Sequence, residues 1–158
     1  MYRLSQETPE DRAEIEALYD TCFAPGREAL SSYRLRDDVP PVADLCLVAR
    51  DDLDIVAGAV RFWPVRVGAA EALLLGPIAV HPTRQGEGLG GLLMNASLDA
   101  AKGSGWQRIL LVGDAPYYQR FGFRLLTDVT MPPPTNPARV LGLGDWSGVR
   151  GDVTRWTA

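Results

Sequence analysis

The stretch LGPIAVHPTRQGEGLGGLL, Leu75 to Leu93, changes character halfway along. Its first half is an apolar run ending at Val80, and its second half is a glycine cluster running into leucines. Glycine inside a helix is less favourable than alanine by up to about 1 kcal/mol. Gly86, Gly88, Gly90 and Gly91 at the start of a helical pattern therefore need a reason beyond chain freedom. Anion capture supplies one: successive backbone N–H groups at a helix N-terminus form a nest that no side chain blocks, and the helix dipole adds partial positive charge. We expect a pyrophosphate there, with Arg84 and Gln85 adding hydrogen bonds at its mouth.

GEGLGG, Gly86 to Gly91, also matches G-x-G-x-x-G, the dinucleotide fingerprint. That fingerprint needs its first glycine to close a strand directly onto a helix, in a unit that usually opens the domain. Here His81 to Gln85 intervene and several strands precede, so a nicotinamide or flavin reading is disfavoured. A Walker loop is absent, since nothing matches G-x-x-x-x-G-K-[ST].

Working outward, Leu89, Leu92, Leu93, Ala96 and Ala100 space one apolar helical face, which stops at Gly103-Ser104-Gly105. WQRILLVGD then reads as a short buried strand, so strand, helix and strand form a crossover with parallel strands. Upstream, DLCLVAR, IVAGAVRFWPVRV and EALLLGPIAV read as an antiparallel meander turning at Asp51-Asp52 and Val67-Gly68. Before them, Tyr2 to Leu4 is extended, and TPED opens a helix over about 9–23 whose face carries Ile15, Leu18, Tyr19 and Cys22. REALSSYRLRDD carries a second short helix before Pro40-Pro41. Downstream, Asp114 caps and Gly122 stops a helix of about two turns, MPPPTNPAR is a surface loop, and VLGLGDW and GDVTRWTA each add a late strand.

Composition narrows the function classes. The 158 residues, 46% of them hydrophobic, suit one domain over 1–158 with a real core. A net charge of −4 with no basic tract gives nucleic acid no electrostatic footprint, so any anionic ligand must be held by local backbone geometry. No apolar run reaches the roughly 20 residues that span a bilayer and the N-terminus lacks a secretory core, so a cytoplasmic protein without membrane contact is expected. Cys22 and Cys46 show no C-x-x-C spacing and His81 is the sole histidine, which argues against a metal site.

With those residues in place, the sequence resembles the GNAT superfamily of N-acetyltransferases. The family motif Gln/Arg-x-x-Gly-x-Gly/Ala after an apolar-Ala-Val-x-Pro run is matched by Ile78-Ala79-Val80, Pro82, Gln85, Gly88 and Gly90. YYQRFGF resembles the family's Tyr-x-x-x-Gly-Phe element, with Tyr118, Gly122 and Phe123 in the matching places. The resemblance covers about residues 4–130. It implies an α+β fold in three mixed layers: a central mixed, mostly antiparallel sheet flanked by helices, with a V-shaped splay between two central parallel strands. It implies that the glycines hold the pyrophosphate of coenzyme A, across Arg84, Gln85, Gly86, Glu87, Gly88, Leu89 and Gly90. The strand from Leu73 to Val80 would splay from that of Ile109 to Val112, so that backbone groups of Ile78, Ala79 and Val80 bind the pantetheine arm like an added strand. Gly76-Pro77 suits a bulge in that strand.

The implied reaction is attack of a neutral primary amine on the acetyl thioester of acetyl-CoA, in a ternary complex and without metal. A backbone N–H near Ile78 or Ala79 is expected to serve the developing oxyanion. The resemblance places Tyr118 beside the CoA sulfur, where a phenol still protonated at neutral pH can donate to the leaving thiolate. Tyr117 and Phe121 are read as aromatic packing. Glu71, Glu28 and Asp38 are candidate bases with no signal favouring any one, and His81 reads as a loop residue. The acceptor, a small-molecule or protein amine, is expected against the helices between residues 9 and 36, the strand ends and the loop near 132–138, with Glu28, Asp37 and Asp38 available to attract a cation. A catalytically silent CoA-binding sensor or interaction module is the alternative. Trp146 and Trp156 either join a homodimer interface or cap the core.

Overall fold

The fold follows from a long central strand flanked by partners on both edges. A computed structural model describes residues 1–23 and 31–156. Its strands are β1 (Arg3–Gln6), β2 (Leu47–Arg50), β3 (Val56–Val67), β4 (Ala70–Val80), β5 (Arg108–Val112), β6 (Arg124–Leu125), β7 (Val129–Thr130), β8 (Val140–Gly144) and β9 (Gly151–Arg155). Its helices are α1 (Arg12–Cys22), α2 (Ser31–Arg34), α3 (Leu89–Gly103) and α4 (Ala115–Tyr118). The sheet runs β1-β2-β3-β4-β5-β8-β6, antiparallel at every step except the parallel pair β4–β5. β3 is long enough to carry β2 on its first half and β9 on its second, both antiparallel. This is the α+β arrangement expected, with a parallel pair inside a mostly antiparallel sheet.

Apolar side chains alternate between the two faces of the sheet. On one face, Val60, Phe62, Leu73, Leu75, Ile109 and Leu111 pack with Leu89, Leu93 and Met94 of α3. On the other, Ile15, Leu18 and Tyr19 of α1 cover Ala59 and Ala79, and Val65, Leu74 and Leu110 form a further cluster with Val140 and Val153. The buried side of α3 is rotated from the predicted stripe: Leu92 is 47% exposed, whereas Met94 and Ser97 are fully buried. The helix tolerates Ser97 inside because its hydroxyl donates to the Met94 carbonyl at 3.0 Å.

Other boundaries shift for local reasons. The first helix begins as a 3-10 turn over Pro9–Asp11, where the Asp11 carboxylate accepts from the Thr8 N–H at 2.8 Å. The segment expected to be strand from Asp44 instead opens with a 3-10 turn, Ala43–Leu45, which seats Leu45 fully buried before β2 starts. Of the second predicted helix, residues 27–30 lie outside the described part and Ser31–Arg34 are helical. β6 and β7 are two residues each, too short for any alternation to register in the sequence. Trp146 packs against the core with its indole N–H on the Leu143 carbonyl, and Trp156 meets Trp106 edge-on. No described helix is long and apolar enough to cross a membrane.

One polar group is built into the α1 face. Arg61 on β3 is 7% exposed and forks onto Glu7, Nε to Oε1 at 2.9 Å and Nη2 to Oε2 at 2.8 Å, while Nη1 donates to Glu16 at 2.6 Å. A buried guanidinium with every edge engaged tethers the chain after β1, α1 and β3 to one another. Removing it strands the Glu7 carboxylate. We predict that Arg61→Ala lowers unfolding free energy by about 3 kcal/mol in urea titration, since breaking a buried pair leaves an uncompensated charge; a loss under about 1 kcal/mol, the range of exposed pairs, would contradict this placement.

Candidate active site

The parallel ladder between β4 and β5 is two residues long: Leu73 faces Ile109 and Leu74 faces Leu110. Beyond it β4 stays paired with β3 as far as Val80 opposite Gly58, while β5 stays paired with β8 as far as Val112 opposite Val140. From Leu75 onward, the edge of β4 that turns away from β3 has no strand beside it among the described residues. The register explains the divergence. Val60 pairs with Ile78 and Phe62 with Leu75, so Gly76 and Pro77 together oppose Arg61 in a bulge. Proline brings no N–H to the ladder, and glycine is required beside it: a Cβ on Gly76 would lie 2.6 Å from Trp63 Cζ3.

At the far end of β4 the chain turns through His81 to Gly88 into α3. The His81 N–H donates to the Ala57 carbonyl at 2.8 Å, and His81 Nδ1 accepts from the Thr83 N–H at 3.2 Å, starting the 3-10 turn Pro82–Arg84. Gly86 and Gly88 then hold φ of 86° and 81°, conformations that side chains with a Cβ rarely adopt, and Gly88 is the N-cap of α3. A Cβ built on Gly86, Gly88 or Gly91 would meet nothing within 4 Å, so space stands open over the turn. Leu89 points the other way, 2% exposed, and anchors the helix start in the core. A diphosphate on main-chain donors fits such a turn.

The side chains at the mouth are mostly engaged with the protein. Arg84 Nη2 donates to Asp51 Oδ2 at 2.5 Å, and Asp51 also caps the β2–β3 turn by accepting from the N–H groups of Leu53 and Ile55. The Ile55 N–H foremost, with Leu53 and Arg84, holds the Asp51 carboxyl below the usual carboxylate range. Tyr2 donates a short hydrogen bond to Glu87, which raises the Tyr2 phenol. Gln85 Nε2 reaches the Val80 carbonyl at 3.4 Å, and Cys22 Sγ lies 3.3 Å from the same oxygen. Arg84 therefore braces the turn against β2–β3, a role its sequence position did not disclose.

α4 begins just past the C-terminal end of β5 and closes the third side. Tyr118 is half-buried at the mouth of the splay, its ring against Gly113 and edge-on to Tyr117 and Phe123. Burial pushes its phenol up to about 12. Ile78, Val80 and Tyr118 border one apolar cluster. Tyr117, read from sequence as packing only, reaches further: its hydroxyl lies 3.2 Å from where a Gly90 Cβ would stand, with Val80 Cγ2 3.7 Å from the same point. That one point joins β4, α3 and α4. No sequence signal distinguished Tyr117 from its neighbours.

The candidate bases are dispersed. Glu71 is exposed at the opposite end of β4 from Val80, 3.9 Å from Arg66. Asp38 is exposed just past α2 with φ of 58°, and Glu28 lies outside the described residues. Among the described residues no three His, Cys, Asp or Glu side chains gather where they could hold a metal ion.

A family model, the acetyltransferase (GNAT) domain, matches residues 43–125. YhbS of Escherichia coli, an uncharacterised N-acetyltransferase, is 36% identical over 121 residues, 75% of this chain and 71% of that protein. The crystal structure of E. coli YhbS in complex with CoA superposes with a TM-score of 0.84 at 30% identity, covering 98% of this chain and 89% of that one. A GNAT acetyltransferase from Brucella melitensis in complex with acetyl-CoA gives 0.73 at 31% identity, covering 99% and 97%. The splayed parallel pair, the open glycine turn and these likenesses agree, and the chain belongs to the GNAT family of N-acetyltransferases.

Proposed function

We propose that this protein transfers the acetyl group of acetyl-CoA to a primary amine by direct attack in a ternary complex. The observation that carries the reading is the continuity of two features: the unpartnered edge of β4 from Leu75 to Val80 leads straight into the open turn at Gly86–Gly88. In this reading the backbone N–H groups of Gln85 to Gly90, from the turn and the first residues of α3, grip the diphosphate, and the edge groups of Ile78 and Val80, either side of an Ala79 paired to β3, take the pantetheine arm as an extra strand. The structures of related GNAT proteins that hold CoA and acetyl-CoA support it.

Acetyl-CoA supplies the activated acyl group, and the protein's part is to orient, polarise and manage protons. The backbone N–H of Ile78, on the open edge of β4, polarises the acyl carbonyl, whereas the register turns the Ala79 backbone to β3; such a donor is worth about 3–4 kcal/mol where it has been removed. Tyr118, the last residue of α4 and half out of water, gives its proton to the leaving sulfur. Its burial favours this role, because a phenol raised to about 12 stays protonated wherever the amine is free to attack.

Tyr118→Phe should lower kcat roughly 100-fold with acetyl-CoA affinity nearly unchanged, as expected of one proton donor. Thiol-release kinetics check this, and an unchanged kcat removes the residue from the mechanism. The pH profile gives a second test. An acid acts only in its protonated form, and the Tyr118 phenol is raised, so kcat should show no descending limb at the pH near 10 where an ordinary phenol ionises. A limb there that disappears in Tyr118→Phe would contradict the raised value.

Gly88→Val should abolish CoA binding by calorimetry. The new side chain stands over the turn and strains a left-handed residue by about 1–2 kcal/mol, an amount the fold can survive. Unchanged affinity in a folded variant places the diphosphate elsewhere.

A further inference from the structure

A cavity of about 340 Å³ opens on the face of the sheet that carries α1 and α2, away from α3. Arg12, Arg36 and Arg61 line it together with Glu7, Glu16 and Asp37, so its charges balance. The two inner arginines differ sharply. Arg61 has a carboxylate on both sides, whereas no carboxylate among the described residues pairs with Arg36. Instead the Arg36 guanidinium is clamped between two rings, its Cζ 3.8 Å from the centroid of Tyr33 and 3.8 Å from that of Trp63. Its Nη1 is buried with no hydrogen-bond partner, the sole such side-chain atom among the described residues.

Burying a charged donor without an acceptor is unfavourable, and such groups are rare in folded proteins. Aromatic faces compensate part of the lost hydration and fix the guanidinium plane, and Tyr33 also hydrogen-bonds the guanidinium, but Nη1 is left without an acceptor. Desolvation accordingly depresses the Arg36 pKa, a penalty that an arriving anion would relieve. The surroundings also say where this arginine stands. Trp63 is held by its indole N–H on the Val39 carbonyl at 3.1 Å, and the same ring touches Gly76 in the β4 bulge. Arg36 is thus one indole away from the strand segment that, in the reading above, presents the acetyl group.

We infer that Arg36 is the specificity-determining anchor for the acceptor, binding the carboxylate of a small amine such as an α-amino acid. A planar guanidinium fork matches a carboxylate in shape and charge. A cavity whose own charges already balance favours a monoanion over a phosphate dianion. With the carboxylate on Arg36, a neighbouring amino group is directed towards the bulge. This inference rests on the acetyltransferase reading and extends it to the second substrate.

The test uses a panel of the common L-α-amino acids and their α-amides with acetyl-CoA, read by thiol release, on the parent protein, Arg36→Met and Arg36→Lys. Methionine keeps an apolar stem between the rings and removes the charge. At least one acid should exceed its amide by about 30-fold in kcat/KM, the scale of one charge-assisted hydrogen bond. The preference should vanish in Arg36→Met, the acid falling to the level of its amide, and return in part in Arg36→Lys. Acetyl-CoA affinity by calorimetry should be the same in all three. Turnover of amides equal to acids, a preference that survives Arg36→Met, or no turnover of any panel member by protein that binds acetyl-CoA overturns the carboxylate anchor alone. Failure of the parent protein to bind acetyl-CoA overturns the acetyltransferase reading, and this inference with it.

Discussion

Two parallel strands that pair for only two residues and then part are the constraint on which the rest depends. β-strands normally satisfy their backbone groups along both edges, so a central strand left open on one side is a liability unless something else fills it. Here the opening is enforced: Gly76 and Pro77 sit opposite a single residue of β3, and Trp63 occupies the space a side chain at Gly76 would need. The bulge holds because β3 is paired along both edges, to β2 and β9 on one side and β4 on the other. A strand edge prepared in this way suits an extended, amide-bearing ligand.

The open edge would be of little use without the turn that follows it. β4 delivers the chain into Gly86 and Gly88, whose left-handed conformations leave the start of α3 uncovered, and Leu89 and Leu93 pin that helix to the sheet. Around this path the charged side chains are occupied in bracing. Arg84 holds Asp51, Tyr2 holds Glu87, and Arg61 gathers Glu7 and Glu16. The contrast with Arg36, clamped by rings and with no acid paired to it among the described residues, stands out because its neighbours are so fully engaged.

The parts legible in the sequence were those written as local chemistry. Glycines at the foot of a helix, a Gly-Pro pair inside an apolar strand and Pro116 with Gly122 around a short helix each dictate backbone geometry within a few residues. The parts that were not legible depend on distant partners. Tyr117 and Tyr118 are identical neighbours, and only the packing of α4 against Val80 and Gly90 gives the first its reach. Arg61 and Arg36 lie on different elements, and no spacing announces that one meets two acids and the other two rings. Leu92 fits the apolar period of α3 yet faces water, while Met94 and Ser97 are buried in its place.

The claim that one continuous path, strand edge into glycine turn, receives the cosubstrate is tested most directly by amide hydrogen exchange with and without acetyl-CoA. Slowed exchange should appear together in peptides spanning residues 75–80 and 85–90, with the β3–β9 pairing unchanged. Protection confined to one of those segments, or lying at neither, would contradict the account.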